Sequence, residues 1–370
     1  MVKFIIRRTI GLIPLFLGVI LISFTLMLLA PGGPAGPVLA NVRITQEQKE
    51  AWLAKWCLSE QNDIGSLLKQ FGGWSGVLNC ENEGMQLFVS EQGNLNFLPT
   101  FLGGGDNGLI HGDLGISTNT ARPVSDMILE RLPTTMMLAG TALVLWVTIA
   151  ILAGIYAAIR RYSFFDQALT LFSYVFFSLP TFWLGLMLIF LFAVTLDWLP
   201  TGGVVEVRNW PAYGSPQFWD AARERPLEAL VDIGSHLILP VTTLVLVNIA
   251  ADSRFVRASM LESMNQDYVR TARAKGLRER VVIGKHTLRN AMLPVTTNVA
   301  LEIPFLVTGA VVTEAIFAWP GVGRLFIASV GDRDYYVLMG LIMISSFAIL
   351  FANLLADVVY ALIDPRIRYD

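Results

Sequence analysis

The residue types that support catalysis are few and scattered in this chain of 370 residues. Its three histidines, His111, His236 and His286, lack the spacing of a metal site, so we predict neither metal ligands nor catalytic residues. The Gly284-Lys285 pair is followed by histidine, whereas a phosphate-binding loop needs serine or threonine there. The sequence therefore predicts no cofactor and no nucleotide hydrolysis in the chain itself.

The most informative polar segment is 258–294, which combines an amphipathic pattern with a helix stop. Leu261, Met264 and Tyr268 recur at helical spacing, and Gly276 follows small residues in the position of a C-terminal stop signal. Arginines surround these residues and are available to carboxylates on another protein. Because positive charge alone is also typical of a loop beside a membrane, the hypothesis of a docking site depends on the order of small residues, glycine and Leu-Pro.

Glu302 is a carboxylate inside an apolar stretch, 291–313. Such groups are costly within a bilayer and usually face a cavity or a partner. One hypothesis is that Glu302 lines a translocation path and attracts a cationic group. The alternative is a structural hydrogen bond or a place near the end of a helix, and the sequence leaves both open.

The elements that position these residues are long apolar helices. Uncharged runs occupy 9–42, 132–159, 167–196, 233–251 and 335–356. Each meets or approaches the roughly 20 residues that a helix needs to cross the hydrocarbon core. We count 291–313 as a further span because proline is tolerated in such helices. Six transmembrane helices are therefore predicted.

Basic residues indicate the orientation of these spans, since lysine and arginine collect in short cytoplasmic loops. In a six-span arrangement sixteen of the 27 basic residues fall on one side. They are Lys3, Arg7, Arg8, Arg160, Arg161, Arg254, Arg257, Arg270, Arg273, Lys275, Arg278, Arg280, Lys285, Arg289, Arg366 and Arg368. Both termini are predicted to be cytoplasmic.

The long polar segment 31–132 then faces outward. Its tryptophans and phenylalanines predict a small folded cap rather than a linker. Both cysteines of the chain, Cys57 and Cys80, lie in it, and in an oxidising compartment they could form a disulfide. Two buried free thiols are the alternative.

The loop that contains Tyr268 and Gly276 carries a family resemblance. Asp-Tyr-Val-Arg-Thr-Ala-Arg-Ala-Lys-Gly at 267–276, with Arg-Asn-Ala-Met-Leu-Pro at 289–294, resembles the cytoplasmic coupling loop of ATP-binding-cassette (ABC) importer permeases. It is most similar to the dipeptide and oligopeptide branch. Arg270 stands where the wider superfamily has glutamate, as is usual in that branch. Further motifs extend the resemblance along most of the chain; they occupy 111–115, 178–185, 312–324 and 356–366.

The resemblance implies that a short helix from this loop seats in a groove of an ATP-binding subunit. The implied coupling residues are Tyr268, Arg270, Thr271, Ala272, Arg273, Gly276 and Leu277. Ala272 and Gly276 would lie at the closest approach to that subunit.

The fold implied by the resemblance is an all-α integral membrane protein with six transmembrane helices of the type I ABC importer permease fold. The cap is expected to be a large periplasmic insertion between helices 1 and 2, and it departs from the family pattern because residues near 40–105 are longer than the family norm. The expected organisation is a cytoplasmic N-terminus with the first span at 1–30, the cap at 31–132 and a permease core at 133–370. The core includes the coupling loop, 258–292.

The resemblance also implies a function and partners. The expected function is a non-catalytic permease subunit that moves peptides or related small solutes across a bacterial inner membrane. Its expected partners are a second homologous permease, two ATP-binding subunits that hold ATP and Mg²⁺, a periplasmic substrate-binding protein and lipid, but no nucleic acid. Whether the solute is a dipeptide, oligopeptide, modified peptide, nickel chelate or glutathione stays open.

The main alternative is an ion-coupled secondary transporter or channel. That class predicts paired ionisable groups in the middle of the membrane. The sequence offers Glu302 and no evident partner for it. A membrane enzyme is a third possibility, but the residues for chemistry are missing.

Overall fold

A computed structural model describes residues 2–29, 45–46 and 114–363, and nearly all of these are helical. The helices are α1 (Val2–Leu29), α2 (Val124–Ile159), α3 (Phe164–Ser178), α4 (Thr181–Leu188), α5 (Pro216–Glu224), α6 (Pro226–Met264), α7 (Asp267–Ala274), α8 (Glu279–Val281), α9 (Leu288–Leu301), α10 (Phe305–Thr308), α11 (Val311–Ile316), α12 (Val322–Gly331) and α13 (Tyr335–Ile363). Two π-helical segments, Ile189–Thr195 and Val282–Thr287, continue α4 and connect α8 to α9. Most of the predicted cap, with Cys57 and Cys80, lies outside the described residues.

Five helical segments of the described residues are long and apolar enough to cross a membrane. They are Ile6–Leu26, Val124–Ile159, Pro226–Met264, Glu279–Ile316 and Tyr335–Leu355. A bent pair, α3 with α4 and its π-helical continuation, supplies a sixth when counted as one span. The prediction of six transmembrane helices is therefore confirmed, with one of them broken.

The break in the third span lies at Leu179 and Pro180. The helices on either side are bent by 100°, whereas the uncharged run 167–196 suggested one continuous element. Proline disfavours helical backbone in the residue before it and has no N–H to donate. Leu179 accordingly adopts an extended conformation with φ −82° and ψ 130°.

The fourth span, α6, is much longer than the uncharged run 233–251 that predicted it. It begins at Pro226 and continues to Met264, so the first residues of the predicted coupling loop belong to this helix. Part of its length packs in an apolar core with Trp146 of α2 and with Phe218 and Trp319. Burial of this face, rather than the absence of charge, determines how far the helix extends.

The described residues divide into two compact units. The larger contains 131–324 and the smaller contains 12–29, 114–130 and 325–346. In the smaller unit the Ser117 hydroxyl donates a 2.5 Å hydrogen bond to the buried carboxylate of Asp334. In the same unit the Asn119 amide donates to Asp332 at 2.9 Å. These bonds hold the segment before α2 against the turn before α13.

Helix α2 begins at Val124, before the uncharged run 132–159 that predicted it. Residues 124–132 already belong to the helix, although they contain several charged side chains. Val124, Met127 and Ile128 are buried, and this apolar face carries the helix beyond the uncharged run.

Candidate functional site

The predicted coupling segment forms a short helix, α7, with one apolar and one polar face. Val269 is completely buried and Ala272 is 4% exposed, and both pack against Val282. Val282 begins the π-helical segment that leads into α9. These three side chains therefore connect α7 by packing to the segment that leads into α9.

The C-terminal end of α7 is a Schellman motif, as the predicted stop signal indicated. The N–H of Gly276 donates to the carbonyl of Arg273 at 2.9 Å, and the N–H of Leu277 donates to that of Ala272 at 3.4 Å. This pattern requires a left-handed residue after the last turn. Gly276 provides it with φ +76°.

Gly276→Ala is expected to loosen the end of α7. A Cβ atom at position 276 would meet no atom within 4 Å, so the substitution causes no steric clash. The helix end loses stability because alanine disfavours the left-handed backbone conformation, by about 1–2 kcal/mol. Amide hydrogen exchange across 273–277 should become about tenfold faster, since 1.4 kcal/mol is a factor of ten. Gly284→Ala is the matched control, because Gly284 also has open space. Equal exchange in the two variants would show that the motif does not hold the loop.

Ion pairs close the loop that follows α7. Arg273 binds Glu279 through two hydrogen bonds, at 2.7 and 3.3 Å. The Glu279 carboxylate raises the pKa of Arg273 above its ordinary value. Arg270 lies 3.6 Å from Asp267 within the helix. Because these pairs are exposed, they orient the loop more than they stabilise it.

The polar face of α7 is open to solvent and carries most of the predicted coupling residues. Tyr268 and Leu277 are 40% and 41% exposed, and the exposed polar residues are Arg270, Thr271 and Arg273. Ala272 differs from the expectation that it lies at the closest approach to a partner. Its small side chain faces inward, where it lets the helix approach Val282. The phenol, hydroxyl, guanidinium and leucine groups outside suit docking rather than catalysis.

A buried carboxylate, which no sequence pattern had indicated, holds the C-terminal part of α6. Asp166 near the start of α3 accepts two hydrogen bonds from Arg257 of α6, at 2.5 and 2.9 Å. The backbone N–H of Tyr162 donates to the same carboxylate at 2.9 Å. From the sequence, Arg257 was predicted only to be one of the basic residues on the cytoplasmic side. The two residues are 91 positions apart, and no local pattern relates them.

Glu302 lies where α9 ends, as its C-terminal cap residue, and its side chain is half-buried. It is within electrostatic range of Asp252 of α6. Asp252 in turn accepts a hydrogen bond from the Asn298 amide at 3.2 Å. The sequence offers no evident partner for Glu302, and in the structure the only charged group that acts on it among the described residues is Asp252, which has the same charge.

Glu314 of α11 is completely buried. Its carboxylate accepts hydrogen bonds from the Thr135 hydroxyl at 3.0 Å and from the backbone N–H of Arg324 at 3.1 Å. Thr135 also accepts a 2.7 Å bond from the N–H of Val322. The carboxylate thus caps the start of α12, where the helix dipole favours negative charge.

Comparison with known proteins identifies the family to which this arrangement belongs. A family model described as "Binding-protein-dependent transport system inner membrane component" matches residues 150–369. The chain belongs to this family. The predicted fold is thereby confirmed as the type I ABC importer permease fold, and the protein is a multi-pass membrane permease component.

Individual relatives of this permease component match along its whole length. The oligopeptide transport system permease protein AppB of Bacillus subtilis (strain 168) is 36% identical, with 100% of each chain covered. The di/tripeptide transport system permease protein DppB of Pseudomonas aeruginosa (strain UCBPP-PA14) is 34% identical over 100% of this chain and 99% of its own. The dipeptide transport system permease protein DppB of Escherichia coli (strain K12) is 33% identical with the same coverage.

The permease component shows no metal centre in the part that the structure describes. No group of three or more histidine, cysteine or acidic side chains there could hold an ion. His236 is buried with its Nδ1 2.9 Å from the carbonyl oxygen of Asp232. This contact is local within α6, four residues apart.

Proposed function

We propose that this permease component belongs to an ATP-driven importer that moves peptides or related small solutes from the periplasm to the cytoplasm. The observation that carries the proposal is α7, a docked helix with an exposed polar face joined to a transmembrane helix through buried Val269. The full-length relatives named as oligopeptide, di/tripeptide and dipeptide permeases support the solute class.

The catalytic step belongs to other chains. We propose that two ATP-binding subunits hold ATP and Mg²⁺, and that a second homologous permease completes the membrane part. A periplasmic binding protein delivers the solute. The family description supports dependence on a binding protein, and the absence of a phosphate-binding sequence at Gly284-Lys285 supports hydrolysis elsewhere.

The proposed orientation has both termini in the cytoplasm of a bacterial cell, with the protein in the inner membrane. The loop that contains α7 then faces the ATP-binding subunits, and the 31–132 segment faces the periplasm. Sixteen of the 27 basic residues lie on the cytoplasmic side in this arrangement, which agrees with the positive-inside rule.

The transport cycle follows from these contacts. ATP binding brings the two ATP-binding subunits together, and the groove on each carries a coupling helix with it. The buried contact between Val269 and Val282 passes this movement to α9. The spans open to the periplasm, solute leaves its binding protein for the central cavity, and hydrolysis resets the inward-open state. The chain is thus a two-state element that is biased through its docked loop.

Glu302 is proposed to line the translocation path. A half-buried carboxylate at a break in a span is placed where lipid contact would be unfavourable. Glu302→Gln should lower the uptake of a cationic solute about tenfold or more, as expected for a charge-assisted bond of about 1.5–3 kcal/mol. Uptake of a neutral solute should fall much less. Equal uptake of both solutes by Glu302→Gln and by the exposed control Glu224→Gln would remove Glu302 from the path.

Co-purification and reconstitution test the proposed function. The complete transporter, reconstituted in proteoliposomes with its binding protein, should accumulate a labelled tripeptide only when ATP is supplied on the side of the ATP-binding subunits. The permease chains without those subunits should not transport it. Uptake by the permease chains alone, driven by a proton gradient without ATP, would favour the ion-coupled alternative instead.

A further inference from the structure

An open groove of about 830 Å³ lies at the N-terminal end of α6, in the larger unit, and has no role in the proposed transport cycle. The first turns of α6 form one wall, with Arg225, Glu228 and Asp232 among the lining residues. The other wall is the loop that contains Arg208 and Trp210. Small-molecule sites have volumes of roughly 300–1,000 Å³, so the groove has room for a charged ligand of that size.

Two guanidinium groups line the groove. Arg225 lies over the ring of buried Trp210, with its guanidinium carbon 4.7 Å from the ring centre, and it pairs with Glu228 at 3.2 Å. Arg208 is exposed, and its guanidinium forms no ion pair with a carboxylate in the part of the chain that the structure describes. Guanidinium groups bind phosphate oxygens through paired hydrogen bonds. These two arginines therefore suit a phosphate group.

Two carboxylates lie beside the arginines. Glu228 and Asp232 are four residues apart on α6 and are therefore neighbours on its surface. Asp232 accepts a 2.9 Å hydrogen bond from the backbone N–H of Glu206, which holds the loop that contains Arg208 against the helix. With two guanidinium groups and two carboxylates, the groove complements a ligand with one negative and one positive group better than a ligand with a net negative charge.

An exposed apolar stripe runs along α6 beside these charges. Leu227 and Val231, which line the groove, are 77% and 72% exposed, and exposed Ile238 continues the stripe at helical spacing. Gly234 lies between the last two, and a Cβ atom there would meet no atom within 4 Å. Exposed apolar patches indicate contact with a membrane or with another protein. The gap at Gly234 gives an acyl chain room to lie against the helix.

The level of the groove in the bilayer follows from the uncharged run 233–251. At 1.5 Å per residue this run spans about 28 Å, close to the roughly 30 Å of the hydrocarbon core. Residues 225–232 then lie at the level of the lipid headgroups, and Gly234 and Ile238 lie at the level of the acyl chains. The preceding segment carries exposed Trp198 and Trp219, and tryptophan is enriched at the boundary between membrane and water.

We propose that this groove binds a phospholipid whose zwitterionic headgroup carries a primary ammonium, such as phosphatidylethanolamine. The phosphate contacts Arg208 and Arg225, the ammonium contacts Glu228 and Asp232, and one acyl chain follows the gap at Gly234. A primary ammonium donates hydrogen bonds to carboxylates, whereas the quaternary ammonium of phosphatidylcholine has no N–H to donate. The lipid joins the loop that contains Arg208 to the fourth span. In the proposed orientation it belongs to the periplasmic leaflet.

Lipid binding to the complete, delipidated transporter tests the site. Native mass spectrometry measures apparent affinities for phosphatidylethanolamine, phosphatidylcholine and phosphatidylglycerol with identical acyl chains. The wild type should bind phosphatidylethanolamine most tightly. Arg208→Gln should weaken this binding about tenfold or more, as expected for a lost charge-assisted bond. Arg223→Gln is the matched control, because Arg223 is an exposed arginine of α5 outside the groove. It should bind like the wild type, so that lipid contacts elsewhere on the transporter cancel in the comparison.

Two further variants separate recognition of the headgroup from recognition of the chain. Glu228→Gln should lower the preference for phosphatidylethanolamine over phosphatidylcholine and leave phosphatidylcholine binding close to that of the wild type. Gly234→Leu should weaken the binding of both lipids, because leucine occupies the gap on the stripe. Leucine also favours the helix more than glycine does, so this variant should keep its fold.

Equal lipid binding by Arg208→Gln and Arg223→Gln would overturn the inference. It is also wrong if phosphatidylglycerol binds most tightly, or if soluble glycerophosphoethanolamine displaces the lipid at equal concentration, since the site would then recognise a free phosphate ester. If Gly234→Leu releases the second permease from the complex instead of weakening lipid binding, the stripe is covered by protein and the inference again fails. None of these measurements depends on ATP-driven uptake, so the proposed function is tested separately.

Discussion

Val269→Asp is expected to abolish solute uptake while the protein still inserts in the membrane. Val269 is completely buried against Ala272 and Val282, and an unpaired charge there costs about 3–5 kcal/mol. A helix of eight residues is only marginally stable without its packed face, so α7 should detach from the segment that leads into α9. Uptake should fall to less than about a tenth of the wild-type rate, because a destabilisation of the packed α7 by 1.4 kcal/mol already corresponds to a factor of ten.

The measurement is uptake together with ATP hydrolysis stimulated by the binding protein, in proteoliposomes that contain the complete transporter. Val281→Asp is the matched control, because Val281 precedes Val282 and is 39% exposed. It should transport at close to the wild-type rate. Equal uptake by the two variants would show that the contact between α7 and Val282 does not transmit movement.

Glu314→Ala is expected to have the largest effect on stability. The change leaves the Thr135 hydroxyl and the Arg324 N–H without their acceptor and opens a cavity in a tightly packed place. A Cβ atom on Gly309 would lie 2.5 Å from a Glu314 oxygen, so the surrounding chain closely follows the carboxylate. With about 1–3 kcal/mol for each buried donor left unpaired, the loss is about 3–5 kcal/mol in all.

Thermal unfolding of the purified protein in detergent tests this expectation. Glu314→Ala should unfold at a clearly lower temperature than the wild type, and Thr135→Val should show a smaller decrease, since it removes only part of the network. Glu224→Ala, at an exposed glutamate of α5, should unfold like the wild type. A melting temperature of Glu314→Ala equal to that of Glu224→Ala would assign Glu314 no structural role.

Apolar run length and the Asp267–Gly276 pattern made much of this architecture predictable. The uncharged runs predicted six spans, and Gly276 correctly marked the end of α7. Both signals are local, because a bilayer requires about 20 consecutive apolar residues and a helix stop requires one left-handed residue. The break at Pro180 was less evident, since proline alone also occurs in spans that stay continuous.

The polar contacts within the larger unit could not be predicted, because they join residues distant in sequence. Glu314 directly follows the apolar stretch 291–313, and no local pattern indicates that it is buried. It is buried because the following turn returns Arg324 to it. Asp252 immediately follows an uncharged run, and no local pattern relates it to Asn298 of α9, which donates a hydrogen bond to it. Ala272 suggested an approach by a partner because it is small, whereas its own loop covers it.

The exposed face of α7 is proposed to contact an ATP-binding subunit. A photo-crosslinking amino acid placed at Thr271 or Tyr268, both on that face, tests it in membranes that contain the complete transporter. The same group at exposed Asp220 of α5 is the control. We predict that positions 268 and 271 capture the ATP-binding subunit and that position 220 does not. If the subunit co-purifies with the permease but is captured from neither position of α7, then α7 is not the helix that contacts it.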